Sequence, residues 1–248
     1  MTLHTGAPPF FFRNPAVELD PLSPLEAYTY SSNSTDGLLN ELDPELASAW
    51  RVMQNFTRQI NLAAKGEASV RLSYLLDTMA GVMYRLVHMQ TQRRFPPRSF
   101  NEAARLGLMG FSCGIFLQWR QIRLFSAHFP ALYRDCLINS DIVSPTAQRG
   151  PVVSVDGMLN NSMKQRFWVW LIMIGVLSVF PQADYHWLKT LLQCELEACG
   201  IRTWEELRDL VRAEPFLWID VVHDHIAKKF FESMQRTLGP SLEAQRRP

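Results

Sequence analysis

Asp220, His223, Asp224 and His225 form the densest local set of groups able to do acid–base or metal chemistry. On a helix, Asp220, His223 and Asp224 stand at i, i+3 and i+4 and share one face, a spacing that suits two metal ligands and a neighbour. His225 falls on another face. No glutamate completes an H-E-x-x-H pattern, and no distant ligand announces itself. The local chemistry therefore favours a solvated helix face, with Asp220, His223 and Asp224 as weak metal candidates only.

The four cysteines are Cys113, Cys136, Cys194 and Cys199. They are too few and too scattered for a disulfide scaffold, and the Cys194–Cys199 spacing matches no zinc pattern. Asp135 beside Cys136 disfavours a thiolate. No glycine-rich phosphate loop is present. The residues thus assign no catalytic group and no cofactor, and the chain is not expected to be an enzyme. A shell rich in Trp, Phe and Met would still suit a small apolar effector, so a helical enzyme or small-molecule-binding protein with an internal cavity stands as the alternative.

Between Arg85 and Arg134 eight arginines face a single acid, Glu102, whereas from Pro181 to Asp224 nine acids face four bases. Arg93, Arg94, Arg98, Arg120 and Arg123 are the interaction candidates, for phosphate or for an acidic protein surface. Pairing with the acidic later helices would satisfy them equally well. The net charge of +1 argues against a surface that wraps nucleic acid.

The elements that must position these residues read as helices throughout. Phe167–Phe180 is a 14-residue uncharged run interrupted only by Gly175 and Ser178. That length suits a buried core helix and falls short of a membrane span. A central helix near 166–180, with Trp170 in it and amphipathic helices around it, gives an all-α architecture with one large domain.

Residues 1–42 are expected to form an N-terminal arm with one short helix from Ser23 towards Tyr30. Asp43–Pro44 opens the first firm helix, Lys65–Gly66 ends it, and a second runs from about Ser69 to Gln90. Ser99 and Glu102 predict a capping box for a third. On it Gly107, Gly110 and Gly114 line one face, which implies close approach by another backbone, with Trp170 and Ile174 as the natural partners.

A short helix follows from Phe129 to about Asn139, and residues 140–160 read as a connection. Asp184 is expected to cap the next helix, and Thr203 with Glu206 the one after. The last helix is expected from Pro215, with Phe216, Ile219, Val222, Ile226, Phe230 and Met234 on its apolar face. Gly239–Pro240 should close it. The helical domain is thus 43–238, with a frayed tail at 239–248. The N-terminus shows no basic region followed by a sustained apolar stretch, so a signal peptide is not expected, and the nucleus or cytoplasm is the expected location.

Several blocks together resemble a known group: E102-A-A-R-L-G-L-M-G-F-S-C-G-I-F-L-Q-W-R120, F129-P-A-L-Y-R-D-C136, F167-W-V-W-L-I-M-I-G-V-L-S-V-F180, W187-L-K-T-L-L192, T203-W-E-E-L-R-D-L210 and F216-L-W-I-D220. In order and spacing they resemble the helical regulatory domain of fungal transcription-factor-like proteins, over roughly residues 40–235. That resemblance implies a non-catalytic domain that regulates transcription through a protein partner, a homodimer or a small effector. Full-length members read DNA through a zinc cluster of six closely spaced cysteines. No such cluster occurs here, so direct DNA binding by this chain is not expected.

Overall fold

The computed structural model describes residues 37–92, 94–116, 128–139 and 155–244. Among them every regular element is helical. In order they are α1 (Gly37–Asn40), α2 (Pro44–Ala64), α3 (Leu72–Thr91), α4 (Phe100–Phe116), α5 (His128–Asn139), α6 (Val155–Ile174), α7 (Tyr185–Cys199), α8 (Trp204–Arg212) and α9 (Asp220–Ala244). Among the described residues no helix is long and apolar enough to cross a membrane.

The centre is α6. Phe167 to Ile174 are each 1% exposed or less, so these two turns are buried on every side and other helices gather round them. The helix is longer than expected, because it begins at Val155 and takes in the end of the 140–160 stretch read as a connection. A π-helical turn, Gly175–Val179, extends it, and the Phe180 N–H closes that turn on the Gly175 carbonyl at 2.9 Å. Tyr133 of α5 donates to the Leu171 carbonyl at 2.7 Å.

Against α6 lies the glycine face of α4. A Cβ added at Gly107 would sit 2.7 Å from Leu171 Cδ1 and 2.8 Å from Trp170 Cζ3. One at Gly110 would stand 3.2 Å from Ile174 and Val179 methyls, and one at Gly114 would collide with the Ser178 hydroxyl. Gly175 is closed in the same way by Phe180 and Tyr133, each 3.2 Å from a Cβ there. These hydrogens in place of methyl groups let the two helices touch.

The domain starts earlier than residue 43. Leu38, Leu39 and Leu42 are 2%, 3% and 6% exposed, so residues 37–42 belong to the core and not to an arm. Three leucines in five positions bury too much apolar surface to be left in water. Residues 1–36, with the Ser23–Tyr30 helix, lie outside the described residues. At the other end α9 passes through Gly239–Pro240 to Ala244, so the expected stop and frayed tail are corrected to helix over 239–244.

Residues 213–219 also depart from the expected helix. Phe216, Leu217, Trp218 and Ile219 are buried but irregular, and α9 begins only at Asp220. Long-range side chains satisfy this strap's carbonyls: Trp50 Nε1 and Gln54 Nε2 donate to Pro215 O at 2.8 and 3.2 Å. Trp170 Nε1 donates to Leu217 O at 2.9 Å, and Asn61 Nδ2 to Trp218 O at 2.8 Å. Such partners replace the helical ladder that buried backbone would otherwise need. With the start of α9 fixed at 220, its buried face becomes His223, Ala227, Phe230, Phe231 and Met234, while Ile226 is 41% exposed.

Two expected caps differ as well. The Ser99 hydroxyl accepts from the Glu102 N–H, but the Glu102 carboxylate is held by Arg105, and the Ser99 N–H donates to Pro96 O instead. The Asp184 side chain makes no cap to α7, because its oxygen accepts from Trp187 Nε1 at 3.2 Å.

Candidate functional site

Asp220, His223 and Asp224 do share a face of α9, yet each is engaged separately. His223 is 2% exposed, against the solvated face expected of it, because the strap folds Trp218 over its ring. Its Nδ1 accepts from the Ile219 N–H at 3.0 Å, so the imidazole caps the N-terminus of its own helix. Phe111 meets the ring edge-on at 5.5 Å between centroids. Burial pulls its pKa down from 6.5 to about 3. A ring so placed stays neutral across the ordinary pH range.

The two aspartates face α8 instead. Arg212 binds Asp220 and Arg208 binds Asp224, each at 2.7 Å, so arginines four apart on α8 match carboxylates four apart on α9. Asp224 also accepts from Trp218 Nε1 at 2.7 Å. Among the described residues no group of three His, Cys, Asp or Glu could hold a metal ion.

The arginine-rich part forms a surface feature of a different kind. Met89 and Gln90 at the end of α3, the Arg94–Arg98 loop, Glu102 and Leu106 of α4, and Leu132, Asp135 and Cys136 of α5 enclose a cleft of about 610 Å³. The loop exists because Pro96 and Pro97 cannot continue α3, and Arg98 turns it with a left-handed φ of 67°. Arg94 bridges to Asp43 at 3.0 Å and to Glu45. Arg98 grips both oxygens of Asp135 at 3.0 and 3.1 Å. That guanidinium, with the Asn139 amide, holds the Asp135 carboxyl below its ordinary value.

Arg105 lies behind the cleft floor, 1% exposed, with both ends of its fork on Glu102 at 2.6 and 2.8 Å. Its Nη1 reaches the Leu86 carbonyl and the Gln90 side chain, both at 3.4 Å. Cys136 is a thiol, pushed up to about 12 by burial and then by Glu102 and Asp135. Leu132 is the exposed apolar element, at 42%.

Arg94, Arg98 and Arg105 therefore do pair within the chain, but with Asp43, Glu45, Asp135 and Glu102, while two of the later acids, Asp220 and Asp224, are matched by Arg212 and Arg208. Arg134 reaches the later part, stacking 4.9 Å over the Trp187 ring. Arg93, Arg120 and Arg123 lie outside the described residues. The cleft as such is not legible in the sequence. Its signal was the Pro96–Pro97 break between two helices, which forces a cleft-edge loop without showing what closes opposite it.

A second cleft, of about 620 Å³, opens between α7 and α9. Neither cleft is lined by His223, Asp220 or Arg105. No protein-family model, no curated protein and no solved structure matches this chain.

Proposed function

We propose that this chain is a helical regulatory domain of the transcription-regulator kind, working through protein contact. It reaches promoters in the nucleus by association with a partner, and the Arg94–Asp135 cleft is the contact surface. One observation carries the reading. The groups that could have done chemistry are held in structural roles, with His223 capping a helix and Asp220 and Asp224 matched to Arg212 and Arg208.

What the cleft offers a partner is an exposed leucine together with two arginines already paired to carboxylates. Such a mixed surface suits a protein interface, where an apolar centre is rimmed by polar groups. Phosphate would demand unpaired cations, and Arg94 and Arg98 are both paired. The test is to fuse the full chain to a heterologous DNA-binding module and read a reporter gene. The fusion should shift reporter output from that of the module alone. Equal output from both would overturn the proposal.

A further inference from the structure

The α7–α9 cleft has a composition unlike the first. Tyr185, Ile226, Phe230 and Met234 give it an apolar floor, and Lys189 and Lys229 stand in its walls. Among the described residues no acid lines it and neither lysine makes an ion pair. Lys189 only donates a long 3.4 Å bond to the Ser233 carbonyl. Ile226, displaced from the core by the late start of α9, is 41% exposed here. An apolar floor with cations that no described acid neutralises calls for an occupant both apolar and acidic.

The chain supplies such a segment itself. Residues 1–36 contain Phe10, Phe11 and Phe12 in a row, followed by Glu18 and Asp20, and hold four acids against one arginine. We propose that the Phe10–Asp20 segment docks in the α7–α9 cleft of its own chain, with phenylalanine on the Ile226–Phe230 floor and Glu18 or Asp20 beside Lys189 or Lys229.

Reach permits it. Between Phe12 and the core residue Leu38 the extended chain spans roughly 85 Å, while a domain of this size has a radius of gyration of roughly 17 Å. Tethering also raises the segment's effective concentration to the millimolar order, which favours it over an equivalent segment on another molecule. This occupancy does not depend on the regulatory reading, because it concerns a different cleft, which shares no lining residue with the first.

The test is zero-length carbodiimide cross-linking of the full chain, with peptides identified by mass spectrometry. The expected products join Lys189 or Lys229 to Glu18 or Asp20, at a yield unchanged by dilution. They should be lost in the Phe10→Ser, Phe11→Ser, Phe12→Ser triple variant and in Ile226→Asp, whose site is exposed enough to leave the fold intact by circular dichroism. Absence of these products overturns the proposal. So do products whose yield falls on dilution, which would mean a second copy, and products that survive the triple variant, which would mean charge contact without docking.

Discussion

At the position of Gly107, one methyl group separates a packed domain from a strained one. Its Cβ would press on Trp170, and that ring is pinned by its own bond to Leu217 O, so the neighbour cannot easily yield. Gly107→Ala is expected to lower stability by about 1–3 kcal/mol, as overpacking does, and Gly110→Leu by at least as much. Gly37→Ala meets nothing within 4 Å and serves as the control. Urea denaturation of the variants reads the difference, and equal midpoints for Gly107→Ala and Gly37→Ala would disprove the close contact.

His223 makes a prediction of a different sort. The fold holds the neutral ring, so its pKa falls to about 3 from 6.5 in the unfolded chain. As pH drops below 6.5 the unfolded state takes up a proton that the native state refuses. The ring's contribution is complete above pH 6.5 and drains away between 6.5 and 3, at up to about 1.4 kcal/mol per pH unit. Glu195 acts in the opposite sense, because burial raises its carboxyl. Comparing the parent with His223→Gln cancels that contribution: their stabilities should converge as pH falls and stay parallel above 6.5. Curves parallel throughout would mean that the ring titrates normally.

Among the elements, α8 shows what local sequence can specify. The Thr203 hydroxyl accepts from the Glu206 N–H, and the Glu206 carboxylate accepts from the Thr203 N–H, within one four-residue window. Thr203→Ala should therefore cost about 1 kcal/mol, measured by thermal or chemical unfolding; an unchanged midpoint would show that the cap contributes nothing. The α4 ridge was legible for a related reason, since three glycines on one helical face have few other uses. The 213–219 strap was not legible. Its helical-looking spacing is overridden by Trp50, Gln54 and Asn61, which lie more than 150 positions away. Nothing in the local spacing of Phe216, Ile219 and Val222 records those bonds, and so the apolar phase of α9 lies one position away from the one that spacing predicts.

On the scale of the whole molecule, the all-α body around a buried α6 follows from one uncharged run flanked by amphipathic ones, and the sequence carries that plainly. The candidate site is less legible, because ion pairing is a property of the assembled surface. The arginine excess between Arg85 and Arg134 is visible in the sequence, but that Arg94 finds Asp43 and Arg98 finds Asp135 is settled only when α2, α3 and α5 meet. With those cations paired and the net charge at +1, the purified chain should give no sequence-specific gel shift. A salt-dependent shift confined to one promoter would contradict that.

The central claim is that this domain regulates by presenting the Arg94–Asp135 cleft to another protein. The most direct measurement is the tethered-reporter assay run in parallel on the parent chain and on Leu132→Asp, a change at an exposed position that places a charge in the cleft lining. The account predicts that the parent shifts reporter output and that Leu132→Asp, equally folded and equally abundant, returns it to the level of the DNA-binding module alone. Identical activity of the two fusions would contradict it.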